Sequence, residues 1–431
     1  MADPKFNAEA AAAVAAGFDL TALPHDFHDD PYRYYRALRV HAPVHRLPTG
    51  GYLFTRYADC VAIYKDARLF SSDKKAEFAP KYGDSPLYEH HTTSLVFNDP
   101  PLHTRVRKII AGAFTPRAIM EMEAPVVALV ADLLDQMALK QAQGLPVDLI
   151  TEFAAAIPVE VIGNLLAVPR DERGPLRDWS LAILGALEPK LSPRQQALGN
   201  QAVTQFRDYL RGLVDERRRH PGDPRHDVLT RLIQGEQNGG QLSELELLHN
   251  VIFILNAGHE TTTNLIGNGL HALLEWPDEK RRLIANTGDA GLIKTAVEEF
   301  LRFESSNQLG NRITTAECEA GGITMPAGTS ITIGIGAANR DPSEFADPDR
   351  LDLTRTPNRH LAFGSGVHQC AGLNVARLEG RIALAGFLRR FPNYRLAGPV
   401  VRGGRARFRG FLGLRADLGG TPRADQMRPT G

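Results

Sequence analysis

The sequence predicts a mostly α fold with small β regions, and three stretches carry that prediction. After Gly372, the residues Leu373, Ala376, Arg377, Gly380, Ala383, Leu384 and Leu388 recur at intervals of three and four, the period of a helix. At Ser243-Glu-Leu-Glu246 a hydroxyl and a carboxylate three residues on form a capping box, opening a helix that runs to Trp276 and is stopped by Pro277. Between residues 118 and 240, helical patterns alternate with turns marked by Pro158, Pro169, Pro189, Pro193 and Pro221.

Composition limits what such a chain can do. Of its 431 residues 43% are hydrophobic and 23% charged, which permits a sizeable core. Lys and Arg number 50, as do Asp and Glu, so bulk charge attracts neither nucleic acid nor a membrane surface. The three cysteines, Cys60, Cys318 and Cys370, lack metal-type spacing and argue against a disulfide framework. Residues 1–18 lack the basic start and long apolar core of a signal peptide, and no window holds the ~18 apolar residues of a membrane span. A cytoplasmic protein is expected, with no nucleic-acid partner and no membrane span.

In chain order, a helix is expected over Pro31–His41, then short strands at Pro43–Leu47 and Gly51–Thr55. From Phe70 to Pro101 periodicity fades and Pro, Gly, Asp and His accumulate, which predicts a long loop. Pro100 and Pro101 suit the start of a helix that sets His103 and Arg107, four apart, on one face. Alone, that pair could equally be a solvated basic face.

The helix from Ser243 is apolar all round between Val251 and Leu255, as an interior helix is, and is then interrupted by Ala257-Gly-His-Glu-Thr-Thr-Thr263. Polar groups at a buried helix centre are a local conflict of the kind that marks function. Thr261 can bond the carbonyl of Ala257 and loosen the ladder there. Thr262 and Thr263 are expected to satisfy themselves on the backbone, and His259 to be packed. Further on, Glu299 and Arg302 sit three apart on a helix. Ile323–Ile333 and Ala338–Pro342 fit a hairpin and a turn, and residues after Gly419 are expected to fray.

Last comes His360-Leu-Ala-Phe-Gly-Ser-Gly-Val-His-Gln-Cys370-Ala-Gly372. Cys370 lies just before a helix, whose N-terminus favours a thiolate. Gly364, Gly366 and Gly372 let the backbone turn sharply and approach a flat surface, clearance that a large planar cofactor requires and a merely buried cysteine does not.

The string Phe363-Gly-x-Gly-x-His-x-Cys370-x-Gly372 resembles the haem-binding loop of the cytochrome P450 family, and further family motifs follow in the right order from about Asp30 to Leu418. The resemblance implies one domain over 1–431, with 1–29 and 419–431 peripheral or frayed, holding haem b between a long central helix and the cysteine loop. It implies Cys370 as the metal ligand, with Phe363, Gly364, Gly372, Ala257 and Gly258 around the haem. His103, Arg107 and Arg312 match the family's partners of the haem carboxylates, and His368 matches the cofactor-binding histidine beside the cysteine. Glu260 and Thr261 match its acid-alcohol pair, expected to pass protons to bound dioxygen. Glu299 and Arg302 match a buried ion pair joined by another arginine, here expected to be Arg350.

The portion Leu181–Ala197 resembles the family's mobile lid. Asn307, Gln308 and Phe411 are expected at the pocket wall, where amides suit a substrate with a hydrogen-bonding group. The implied activity is insertion of one oxygen atom from O2 into a small, largely hydrophobic substrate, as in hydroxylation or O-dealkylation. No dinucleotide fingerprint or cluster-binding cysteine set occurs, so electrons are expected from NAD(P)H through a separate ferredoxin or flavodoxin with its reductase. That partner would dock at Arg105, Lys108, Arg377 and Arg381, which could equally be ordinary surface charge, on an enzyme expected to be a monomer. A peroxide-driven enzyme and a non-catalytic haem sensor are the alternatives, and neither needs an acid-alcohol pair.

Overall fold

A computed structural model describes residues 8–225, 227–234 and 242–419. It is mostly helical, with small sheets at its margins. The expected fraying after Gly419 falls outside the described residues.

The molecule is organised around the helix Glu244–Glu275. Ser243 accepts from the Glu246 amide and the Glu246 side chain accepts from the Ser243 amide, the reciprocal cap read from the sequence. Nearly every residue from Leu247 to Leu273 is buried, because the helices Pro116–Ala142, Ala156–Leu165 and Leu373–Arg390 pack with it into the main core. The helix stays continuous through Ala257–Thr263, so the expected interruption is one of chemistry and not of backbone.

The principal sheet has five strands in the order Val44–Arg46, Tyr52–Phe54, Ser330–Gly334, Leu309–Thr314, Phe70–Ser71. The expected hairpin over Ile323–Ile333 is divided between two sheets. Ile323–Met325 pairs with Cys318–Ala320, whereas Ser330–Gly334 pairs with Leu309–Ile313 and runs parallel to Tyr52–Phe54.

Two further stretches differ from expectation. Residues 70–101 are not one long loop, since helices form at Lys75–Tyr82 and Pro86–Thr93. Ser85 caps the second, with Pro86 in its first turn, and Phe78, Tyr82 and Leu87 bury into the core, so capping and aromatic packing override a weak period. Within the stretch expected to be peripheral or frayed, Ala8–Ala16 is helical and Phe18, Leu20 and Phe27 join Tyr34 and Tyr35 in a second core.

Candidate functional site

One face of the central helix, the cysteine loop, the helix Leu102–Ala111 and the strand Leu309–Thr314 enclose a cavity of about 340 Å³. Ala257, Gly258 and Thr261 lie on its wall, together with Phe363, Gly364 and Cys370 of the loop. A Cβ on Gly258 would stand 2.5 Å from the end of Ile162, so this glycine also lets the helix Ala156–Leu165 approach.

The loop is held by its own backbone. The amide of Cys370 donates to Phe363 O at 2.9 Å and that of Gly364 to Leu361 O at 2.8 Å. Gly366 has φ of 71°, and a Cβ there would meet Tyr64 O at 2.3 Å, so only glycine closes this turn against the helix Tyr57–Lys65. Cys370 sits three residues before the helix Leu373–Arg390, as expected, but its thiol is not driven to ionise. Burial pushes it up, and the opposing pull of the Gly372 amide and of Arg107 and Arg377 does not win. A metal cation is the partner that removes such a proton outright.

His103, Arg107, Arg312 and His368 all border the cavity. The two imidazoles lie 4.0 Å apart between ring centres; both ring nitrogens of His103 are buried without partners, and Nε2 of His368 faces Asp99 at 3.9 Å. His103 is pushed down to about 4, first by burial and then by His368 and Arg107. His368 is lowered by burial, with Arg312 and Arg107 adding to it against the nearby Asp99. Two arginines and two imidazoles, that of His103 without a partner, suit a group carrying two carboxylates, as haem does. The donor set, the thiol and the glycine-lined loop therefore fit the expected cofactor.

Thr261 donates to Ala257 O at 2.8 Å, the bond read from the sequence, and its own carbonyl accepts from Ser306 Oγ at 2.8 Å. Thr263 likewise bonds His259 O at 2.9 Å. Thr262 lies on the cavity wall, where its side chain offsets part of the effect of burial on the Glu379 carboxyl. Burial pushes the Glu379 carboxyl up to about 8 and keeps it protonated at neutral pH. Glu260 was expected beside Thr261 over the cofactor, but it does not border the cavity; it is buried in an ion pair with Arg405. Adjacent residues of a helix diverge, and a guanidinium waits on the far side.

Glu299 and Arg302 are both fully buried and joined by two bonds of 2.7 Å. Arg350 is not the third member: its side chain is exposed and only its carbonyl takes part, accepting from Arg302 at 3.2 Å. Arg355 replaces it, 3.2 Å from Glu299, and Asn358 and the Asp352 amide complete the carboxylate's shell. The neighbouring Glu298 holds Arg377 at 2.7 Å and His360 at 3.1 Å. Burial alone would raise the Glu298 carboxyl, but those bonds outweigh it and hold it down to about 2. One helix, Ala290–Phe303, thus grips both flanks of the cysteine loop.

At the pocket wall Asn307 is in place, with Oδ1 buried and unpartnered. Gln308 is not, because its amide turns away to donate to Ser305 O at 2.7 Å. Phe411 is packed on His271, 4.7 Å between ring centres, and Phe408 takes the expected position on the wall. Of the expected basic patch, Arg105 is paired with Glu246 and Arg377 with Glu298. Arg355, Arg405 and Glu379 were missed; each is a lone charge in an aperiodic segment or on a helix, which only packing singles out.

His259 is packed, as expected, and its ring shares one property with that of His91: burial pushes each down to about 3. An imidazole whose folded pKa lies below its usual 6.5 takes up its proton more readily unfolded, so stability is full above pH 6.5 and falls as pH drops toward 3. Each ring contributes a slope of up to ~1.4 kcal/mol per pH unit. The urea midpoint is expected to drop steadily between pH 6.5 and 4, less steeply in His259→Gln; a flat profile would contradict this.

Comparisons with known proteins give a consistent result. The cytochrome P450 family model matches residues 181–393. The chain is 36% identical over 375 residues to the biotin biosynthesis cytochrome P450 of Bacillus subtilis, covering 86% of this chain and 92% of that protein. It is 39% identical over 375 residues to the vitamin D(3) 25-hydroxylase of Pseudonocardia autotrophica, covering 86% and 89%. The crystal structure of CalO2 superposes with a TM-score of 0.85 at 30% identity, over 94% of this chain and all of that one (100%). Among the described residues no helix is long and apolar enough to cross a membrane.

Proposed function

Because the chain belongs to the cytochrome P450 family of haem-thiolate monooxygenases, we propose that it inserts one oxygen atom from O2 into a small, largely hydrophobic organic substrate, by hydroxylation or O-dealkylation. Electrons come from NAD(P)H through a separate ferredoxin or flavodoxin with its reductase, in the cytoplasm. The observation that carries this reading is a cysteine lining the same cavity as Thr261, with Arg107, Arg312 and the unpartnered imidazole of His103 on its wall.

Cys370 would hold the iron, and Arg107, Arg312, His103 and His368 the haem carboxylates. A thiolate-bound haem supplies the electron push that favours O–O cleavage. The remaining work falls to protein groups. Thr261 Oγ1, parked on Ala257 O, can rotate to receive and donate a proton at the cavity wall. Burial raises the Glu260 carboxyl against the pull of Arg405, and its protons reach Thr261 after it parts from that arginine. The mostly apolar wall, with Ile183, Leu184 and Leu187 from the lid side, excludes bulk water from the site.

Thr261→Ala tests this assignment. The variant is expected to keep haem and substrate binding but to yield several-fold less product per NAD(P)H, the difference leaving as peroxide or water. An unchanged ratio would refute the role of the hydroxyl.

A further inference from the structure

We infer that the substrate carries an anionic group, a carboxylate or its equivalent, and that Arg407 is the residue that holds it. This deepens the proposed function and rests on it, since it concerns the same cavity.

Arg407 borders the cavity on the side of the lid. Its guanidinium donates to Leu309 O at 3.1 Å and to the Asn311 side chain, both neutral acceptors, while Nε is buried with no partner. Among the described residues no carboxylate pairs with it. The nearby Glu188 carboxylate is spent on the backbone, accepting from the amides of Ala406 at 2.7 Å and Arg407 at 3.1 Å. That fixes the chain beneath the arginine and leaves its charge unanswered.

The surroundings sharpen the point. Lys74, 1% exposed, also borders the cavity, with its ammonium on Glu77 at 2.8 Å. His91, 1% exposed, borders it too and has both ring nitrogens unpartnered. The charge of Arg407 is felt at both, lowering the affinity of each for protons. Ser72 adds a buried hydroxyl without a partner. An arginine cannot discharge by losing a proton, so a part-buried guanidinium without a carboxylate partner, near the ammonium groups of Lys74 and Lys81, is costly until an anion arrives. The rest of the wall is mostly apolar, with Phe97, Phe253 and Phe408. The shape of the demand is an apolar body with one anionic head.

This corner adjoins the haem-carboxylate cluster through Arg312, whose charge is felt with that of Arg407 at Lys74 and Tyr64. Arg107, His103 and His368 lie beyond it and act on one another, whereas Arg407 acts on Lys81, His91 and Tyr82 of the segment under the lid.

The test titrates the haem-loaded protein by its spin-state shift with matched probes: dodecanoic acid, a bile acid and an arylalkanoic acid, each against its methyl ester. Wild type is expected to bind at least one acid about tenfold more tightly than its ester. Arg407→Leu is expected to abolish that preference and Arg407→Lys to restore part of it, with haem content and the reduced carbonyl spectrum intact in all three. No preference for any acid, failure of every probe to bind, or a preference that survives in Arg407→Leu would each overturn the inference. Loss of the carbonyl spectrum from wild type itself would instead overturn the monooxygenase reading.

Discussion

Glu299→Ala is expected to destabilise the protein by about 3–5 kcal/mol, because it strands two buried or nearly buried guanidinium groups at once. Arg302 loses both of its bonds to the carboxylate and keeps only carbonyl acceptors from Asn339, Pro348 and Arg350. Arg355, Asn358 and the Asp352 amide lose the same acceptor. These partners lie on the segment that leads into the cysteine loop, so the loss is expected to lower haem retention as well as the unfolding midpoint. Arg355→Ala should cost less, since it leaves the Glu299–Arg302 pair intact. Arg350→Ala should be near neutral, because only its carbonyl is used. A urea series on the three variants checks the order, and equal effects at 350 and 355 would contradict the network as drawn.

The helices were legible where their signals were local. A capping box, a proline stop and an all-round apolar run place the central helix within a residue of its observed ends. The Thr261 to Ala257 bond follows from i to i−4 geometry alone, and the structure has it. The cysteine loop was legible because glycines at fixed offsets have few other uses; Gly366 is shown to need its freedom by the closeness of Tyr64 O.

Partners brought together over long sequence separations were not legible. Arg350 and Arg355 are equivalent charges five positions apart, and the choice between them depends on how the segment folds under Arg302. Glu260 and Thr261 are adjacent in sequence, yet their helix sends one toward Arg405 and the other toward the cavity. Phe411 and Phe408 are both apolar residues of the last strands and their approach, and only the pairing register decides which one reaches the pocket. The thiol of Cys370 shows a different limit. Its position at a helix entrance predicts a low pKa, but burial outweighs the Gly372 amide and the charges of Arg107 and Arg377.

The second large effect concerns that sulfur. Serine offers a weakly acidic hydroxyl in place of a polarisable sulfur, so Cys370→Ser should leave the fold in place while removing the only sulfur ligand that the described residues present on the cavity wall. Haem retained through His103, Arg107, Arg312 and His368 would then lack its sulfur bond. The most direct measurement is the reduced carbonyl spectrum of purified, haem-loaded Cys370→Ser beside that of the wild type. The band characteristic of thiolate ligation is expected in the wild type and absent from the variant, and its persistence in the variant would contradict the account.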